Sequence, residues 1–348
     1  MFGLSKEVRA KIEKHSSNFQ KILKNSLKYK KEDILIVSDF GKKENNLATM
    51  LSYGYYHAAL KKGLSVSLLH QEVKKGFMSA DKHVVDAISD FGENNIIILA
   101  LSNKLGRFGE NKSFRTFCKN KGHRFLSATG LGDVNSSYYD LFLDTMCVSY
   151  KRMEKRSSKI KKLWDKAKTI QVKSPNGTNI TVDVQDMVAI ENIGKYHSPG
   201  QGGNMPSGEV YIPPKGFYGV SGKLVIDGSL KLASGAMLVD KPVTLIVKEG
   251  RIEKIEGKHA KLLQDTYEKF EDRSKYPSRV RRACELGIGI NPASVLIGSM
   301  IMDEKVAGTG HLAFGSNYWF GGEIRSFYHG DQVFKDPTYY VDGKKMNL

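Results

Sequence analysis

Asp33-Ile-Leu-Ile-Val-Ser-Asp-Phe40 decides how the first half of the chain folds. A short unbroken apolar run between charged ends reads as a strand buried on both faces, as a parallel sheet requires. After it, residues 45–62 carry Met50, Leu51, Tyr55, Ala58 and Leu60 in a helical pattern that Gly63 stops. Residues 65–69 read as a second strand, 80–90 as a helix, 96–101 as a strand, 113–121 as a helix and 124–127 as a short strand. Strands alternating with helices in this way imply βαβ units and a parallel sheet. Upstream, Val8, Ile12, Phe19, Ile22, Leu23 and Leu27 recur at helical steps and predict one long amphipathic helix. Residues 1–150 are therefore expected to form an open parallel α/β domain. Asp39-Phe-Gly-Lys-Lys has a single glycine and no phosphate-binding fingerprint, so a nucleotide site is not expected there.

Residues 151–168 read as a basic connecting helix. Then Thr169-Ile-Gln-Val-Lys-Ser-Pro-Asn-Gly-Thr-Asn-Ile-Thr-Val-Asp-Val184 alternates apolar and polar residues around Asn-Gly, a hairpin signature. Short strands are predicted at 223–226, 236–238, 243–247 and 252–255, and a helix at 258–272. Residues 169–348 are thus expected to be an antiparallel-rich α+β domain.

Composition sets the outer bounds. The chain has 348 residues, 40% of them apolar, which suits two domains with real cores and excludes a wholly disordered chain. The longest apolar run, 96–101, is far short of a membrane span, and no membrane association is expected. Residues 1–14 mix Lys and Arg with Glu7 and Glu13, which fits neither a secretory nor a transit signal. Three scattered cysteines (Cys118, Cys147, Cys284) argue for a reducing, cytoplasmic setting. Lys plus Arg number 54 against 37 acidic residues. These charges run along the whole length without any nucleic-acid motif, so they are read as a general surface property and not as a nucleic-acid site.

The chemistry concentrates late in the chain. From Glu285 to Asp331, 47 residues hold nine glycines together with Asp303, Glu304, His311, Tyr318, Glu323 and His329. Many glycines beside His and carboxylates suggest loops where backbone approaches a bound group. His329-Gly-Asp331, if extended, points both side chains the same way. Gly308-Thr-Gly-His-Leu-Ala-Phe-Gly315 sets a histidine among glycines, with Asp303-Glu304 upstream as a candidate general base or a solvated turn. Arg282-Ala-Cys-Glu-Leu-Gly-Ile-Gly-Ile-Asn291 places Glu285 in an apolar stretch, where a carboxylate must be paired or metal-bound. Cys284 reads as a packing thiol. In Asn204-Met-Pro-Ser-Gly-Glu-Val-Tyr-Ile-Pro-Pro214, Glu209 opens a strand-like run. Together these offer three carboxylates, two imidazoles, a spare Glu and a Tyr, enough for two divalent ions with a bridging water.

The four segments, in this order, resemble the thermophilic-type metalloaminopeptidases, the aminopeptidase T and aminopeptidase S family with its archaeal leucyl aminopeptidase relatives. The matching residues run through Asn-x-Pro-x-Gly-Glu209, Glu285-Leu-Gly-Ile-Gly-Ile-Asn, Asp-Glu304, Gly-Thr-Gly-His311-Leu-Ala-Phe-Gly, Tyr318 and His329-x-Asp331. The resemblance implies a two-domain fold and two divalent ions (zinc, cobalt or manganese) on Glu209, Glu285, His311, His329 and Asp331. It implies Glu304 as the catalytic carboxylate, which in this family can also lie on the metal. It implies Tyr318 beside the metals, a homodimer, and a peptide substrate from which amino-terminal residues are released. Only 17 residues separate His311 from His329, fewer than in the bacterial enzymes. The expectation is accordingly a metalloaminopeptidase. Two rivals stand beside it. One is a mononuclear iron(II) ring-cleaving dioxygenase, resembling the dihydroxypyridine dioxygenases of the same superfamily, with His311, His329 and Asp331 as its triad. Glu209 and Glu285, two further carboxylates, argue for a second metal and against that rival. The other is a catalytically degenerate basic binding protein.

Overall fold

The 33–40 run forms the strand Ile34–Asp39, and all six of its residues are buried. A computed structural model describes residues 4–41, 47–109 and 113–347 of the chain. The predicted helix start at Asn45, and Lys42 and Lys43 of the Asp39 turn, lie outside those residues. The chain divides into two compact units, Met1–Tyr150 with Gly194–Ser207, and Lys151–Ile193 with Gly208–Leu348.

In the first unit, Val66–Gln71, Ile34–Asp39, Ile96–Ala100, Arg124–Ala128 and Gly202–Asn204 lie side by side in that order, all parallel. Leu35, Val37, Ile97 and Leu99 pack on one face against Val84 and Ile88 of the helix Lys82–Asp90. The helix Leu47–Leu60, buried along most of its length, packs against the same sheet. The fifth strand comes from the segment that the sequence reading assigns to the second half. Its Gly-Gly-Asn sequence carries a turn signal, but Phe125 lies where a Cβ on Gly202 would stand, and the Tyr196 hydroxyl lies where one on Gly203 would stand. The predicted single amino-terminal helix is broken. Lys6–Lys14 stops at His15, Ser16–Ile22 follows, and a wide turn over Leu23–Leu27 ends at Lys28 with φ 49°. Ser16, Ser17 and Asn18 are weak helix formers, which suits a break at this point.

The second unit holds two antiparallel sheets. One orders Arg251–Glu256, Val243–Lys248, Val220–Ile226, Asn179–Asp183, Thr169–Lys173, Thr338–Val341 and Lys344–Lys345, with the predicted hairpin at its centre. The other orders Gly235–Leu238, Ser229–Leu232, His329–Lys335, Thr309–Gly315, Ala283–Gly289, Glu209–Ile212 and Ile190–Asn192. The architecture is thus a parallel α/β domain followed by an antiparallel-rich domain. Among the described residues no helix is long and apolar enough to cross a membrane.

The turn before the Thr309–Gly315 strand is not solvated. Asp303 is fully buried, and its Oδ1 accepts the Ile297 N–H at 2.8 Å, tying down the loop that leads into Glu304. Burial pushes its carboxyl up to about 6, against the hydrogen bonds it accepts. The folded state therefore binds the proton more tightly than the unfolded chain, and stability from this group falls as pH rises from about 4 to about 6. Asn at 303 removes the titration. Between pH 4 and pH 7 the stability of Asp303→Asn relative to the parent should rise by up to roughly 3 kcal/mol, read from urea melts at both pH values. A pH-independent difference would contradict this.

Candidate metal centre

Strand register alone assembles the centre. In the second sheet Gly289 lies opposite Glu209, Gly287 opposite His311, Ala313 opposite both Glu285 and Asp331, and Gly315 opposite His329. Alternation therefore places Glu209, Glu285, His311, His329 and Asp331 on one face of four adjacent strands. The residues between them on that face are glycine or alanine. The glycines expected in loops are thus strand residues, and they clear space for side chains. A Cβ on Gly287 would come within 1.9 Å of His311 Nε2. The imidazole lies in the notch that Gly287 leaves.

The donor atoms fall into two overlapping groups that share Glu285: Glu285, His329 and Asp331, and Glu209, Glu285 and His311. His311 Nε2 lies 3.3 Å from Glu285 Oε1. His329 Nε2 lies 3.6 Å from both Glu285 Oε2 and Asp331 Oδ1. These separations are long for hydrogen bonds. Within each group they come near the separation of about 3.0–3.5 Å at which ligands about 2.1 Å from an ion stand. His329 is also oriented as a ligand. Its Nδ1 donates to the Ser316 carbonyl at 2.8 Å, which leaves Nε2 facing the carboxylates. His311 Nδ1 has no hydrogen-bond partner among the described residues, so its ring is held by packing. These residues fit a metal ion.

Glu209 is different. Its Oε1 accepts from Lys305 Nζ at 2.7 Å and from Asn192 Nδ2 at 2.9 Å. Lys305 is fully buried and also pairs with Glu304. Burial alone would drive its ammonium to lose a proton, but Glu209 and Glu304 hold it well above the ordinary lysine range. Lys305 is the residue that sequence reasoning missed. In Asp-Glu-Lys-Val it looks like the charged end of a turn, whereas its side chain runs inward to Glu209 and Glu304.

The other titrations follow the same field. Burial raises Glu285 despite its imidazole neighbours, and pushes Glu304 up to about 8 against Lys305. Burial opposes charge on His311, but Glu285 and Asp331 raise it to about 9. His329 rises and Asp331 falls through their mutual attraction, each against burial. Without an ion, the imidazolium groups balance the carboxylates. Cys284 is a buried packing thiol, pushed up to about 11 by burial.

Tyr318 is not drawn into this cluster. It is 52% exposed, with the Arg325 guanidinium 3.6 Å from its ring centroid. Its neighbour Trp319 stands beside the centre, with its ring centroid 5.0 Å from that of His329. The short connection between the His311 and His329 strands is built around buried Asn317. Its Oδ1 accepts the Ile324 N–H, and its Nδ2 donates to the Cys284 carbonyl. This fold of the loop sets Trp319 at the opening. Side-chain exposure falls from 23% at His329 and 15% at Glu304 to zero at His311 and Lys305. The centre is therefore approached from the His329 side.

A family model described as NicX, 2,5-dihydroxypyridine 5,6-dioxygenase, matches residues 142–347. In fold the chain is similar to the 2,5-dihydroxypyridine dioxygenase of Pseudomonas putida KT2440, with TM-score 0.74 and 17% identity over 97% of this chain and 96% of that one. It is also similar to AmpT of Thermus thermophilus, with TM-score 0.65 and 12% identity over 97% and 98% of the two chains. Comparison with curated protein sequences gave no match. The family match overturns the aminopeptidase expectation, and with it the hydrolase and protease assignment and the peptide substrate. The resemblance to aminopeptidase T holds at the level of a shared two-domain fold. The motifs around Glu209, Glu285, His311 and His329 do not choose between the two chemistries. The chain belongs to the NicX, 2,5-dihydroxypyridine 5,6-dioxygenase, family.

Proposed function

We propose that this family member is a mononuclear iron(II) dioxygenase that opens the ring of a dihydroxylated pyridine or a closely related heteroaromatic. The observation that carries the reading is the donor group of Glu285, His329 and Asp331, with His311 Nε2 3.3 Å from the shared Glu285. One imidazole and two carboxylates that leave open positions suit non-haem iron(II). Iron bound there supplies redox chemistry with O2 and a Lewis-acid position for a ring oxygen.

The chain's own residues do the rest. The Ser316 carbonyl fixes which nitrogen of His329 faces the ion. Gly287 gives His311 its place. Glu304, at the partly open edge beside Asp331, takes the proton that a ring hydroxyl loses. Trp319 offers a flat wall at the opening, against which a planar ring stacks.

The test is to load the protein anaerobically with iron(II) and add 2,5-dihydroxypyridine. Ring absorbance should persist until O2 is admitted and then vanish, with one O2 consumed per ring. Persistence of the ring absorbance under O2 would contradict the reading. Trp319→Ala should raise KM by about 2- to 12-fold, the range of aromatic stacking energies of about 0.5–1.5 kcal/mol, with kcat less affected. Trp319→Phe should keep most of the affinity. Equal KM values in parent and alanine variant would remove Trp319 from the substrate wall.

A further inference from the structure

Lys305 is a fully buried cation whose presence the iron reading does not require. It touches two of the carboxylates that the aminopeptidase resemblance assigned to metals and catalysis, Glu209 and Glu304. Glu209 keeps its second oxygen, Oε2, 3.8 Å from His311 Nε2. Together with Glu285 these form a complete donor group on the far side of the shared carboxylate.

Charge decides what that group can hold. Four carboxylates face the centre: Glu209, Glu285, Glu304 and Asp331. With all four ionised, their greatest negative charge, Lys305 and one divalent ion leave a single negative charge among them. A second divalent ion added to Lys305 would make the buried centre net positive, with two cations forced against each other on Glu209. The lysine and a second ion are alternatives.

Resting on the one-ion reading above, we propose that the Lys305 ammonium is the resident cation of the Glu209 side. On this proposal Glu209, Glu285 and His311 are a latent second site for a divalent cation of imidazole and carboxylate preference, opened by removal of Lys305. The lysine then sets the number of ions, and through it the chemistry the scaffold supports.

The test counts manganese(II) bound per chain, by elemental analysis after equilibrium dialysis. The parent should hold one ion and Lys305→Met two. Lys305→Met/Glu209→Gln, which removes the pair together, should return to one. A folded Lys305→Met that binds one ion at saturating metal, or a parent that binds two, would overturn the proposal. Removing one partner of a buried pair can unfold a protein. Recovery of Lys305→Met by manganese, followed in thermal melts, would then support it. If manganese does not rescue that variant, Glu209→Gln in the presence of Lys305 decides. Retention of one ion at parental affinity supports the proposal, and loss of that ion overturns it. A parent that binds one ion yet opens no ring would defeat the dioxygenase reading and leave this inference standing.

Discussion

His329→Ala should bind iron(II) two to three orders of magnitude more weakly than the parent and lose ring opening at ordinary iron concentrations. His329 contributes Nε2 to the group that holds no built-in cation, and its Nδ1 is already committed to the Ser316 carbonyl. A structural metal site is worth about 10–16 kcal/mol over its ligands, so one ligand carries about 3 kcal/mol or somewhat more. That converts to about 100- to 1,000-fold in affinity. His329 lies at the open edge, 23% exposed, so its loss leaves the core packing largely intact. Calorimetric titration with iron(II) under nitrogen measures the effect, and near-UV circular dichroism checks the fold. Unchanged affinity would remove His329 from the ligand set.

Gly287→Ala should do nearly as much harm by one methyl group. The new Cβ would stand 1.9 Å from His311 Nε2, so the ring must leave its notch. His311 has no hydrogen bond on Nδ1 to pull it back. His311 stands 3.3 Å from Glu285, and losing a group that orients a ligand typically costs about 10- to 100-fold in metal affinity or activity. The strand conformation itself tolerates alanine, and overpacking costs about 1–3 kcal/mol of stability. A Gly287→Ala protein that melts a few degrees lower but binds iron normally would show that His311 does not act on the iron through Glu285.

The two predictions show where sequence reasoning succeeds and where it stops. The strand Ile34–Asp39 and the hairpin around Asn176-Gly177 are legible because continuous and alternating apolar patterns report burial on two faces or one. Glu209, Glu285, His311, His329 and Asp331 are named as a set by the family resemblance, and the cost of burying a carboxylate in an apolar run marks Glu285 alone. What is not legible is which way Lys305 points. A lysine next to Asp-Glu is ordinarily solvated, and its inward course depends on Glu209, a partner far away in the chain. That one side chain supplies the charge balance that two extra carboxylates had suggested a second ion must supply. The strand Gly202–Asn204 escapes for a different reason. Its pairing with Arg124–Ala128 depends on small residues fitting under Phe125 and Tyr196, a relation between distant segments. Trp319 is obscured by its neighbour, since the turn geometry around Asn317 determines which aromatic faces His329.

The most direct test of the central claim is the fate of isotopic oxygen. The iron(II)-loaded protein is given 2,5-dihydroxypyridine under labelled O2 in ordinary water, and the ring-opened product is weighed by mass spectrometry. A dioxygenase built on this one-ion centre delivers both labelled atoms to the product. Labelled water under ordinary O2 then contributes no oxygen during ring cleavage. A product whose new oxygen comes from water, or that carries a single atom from O2, would contradict the account.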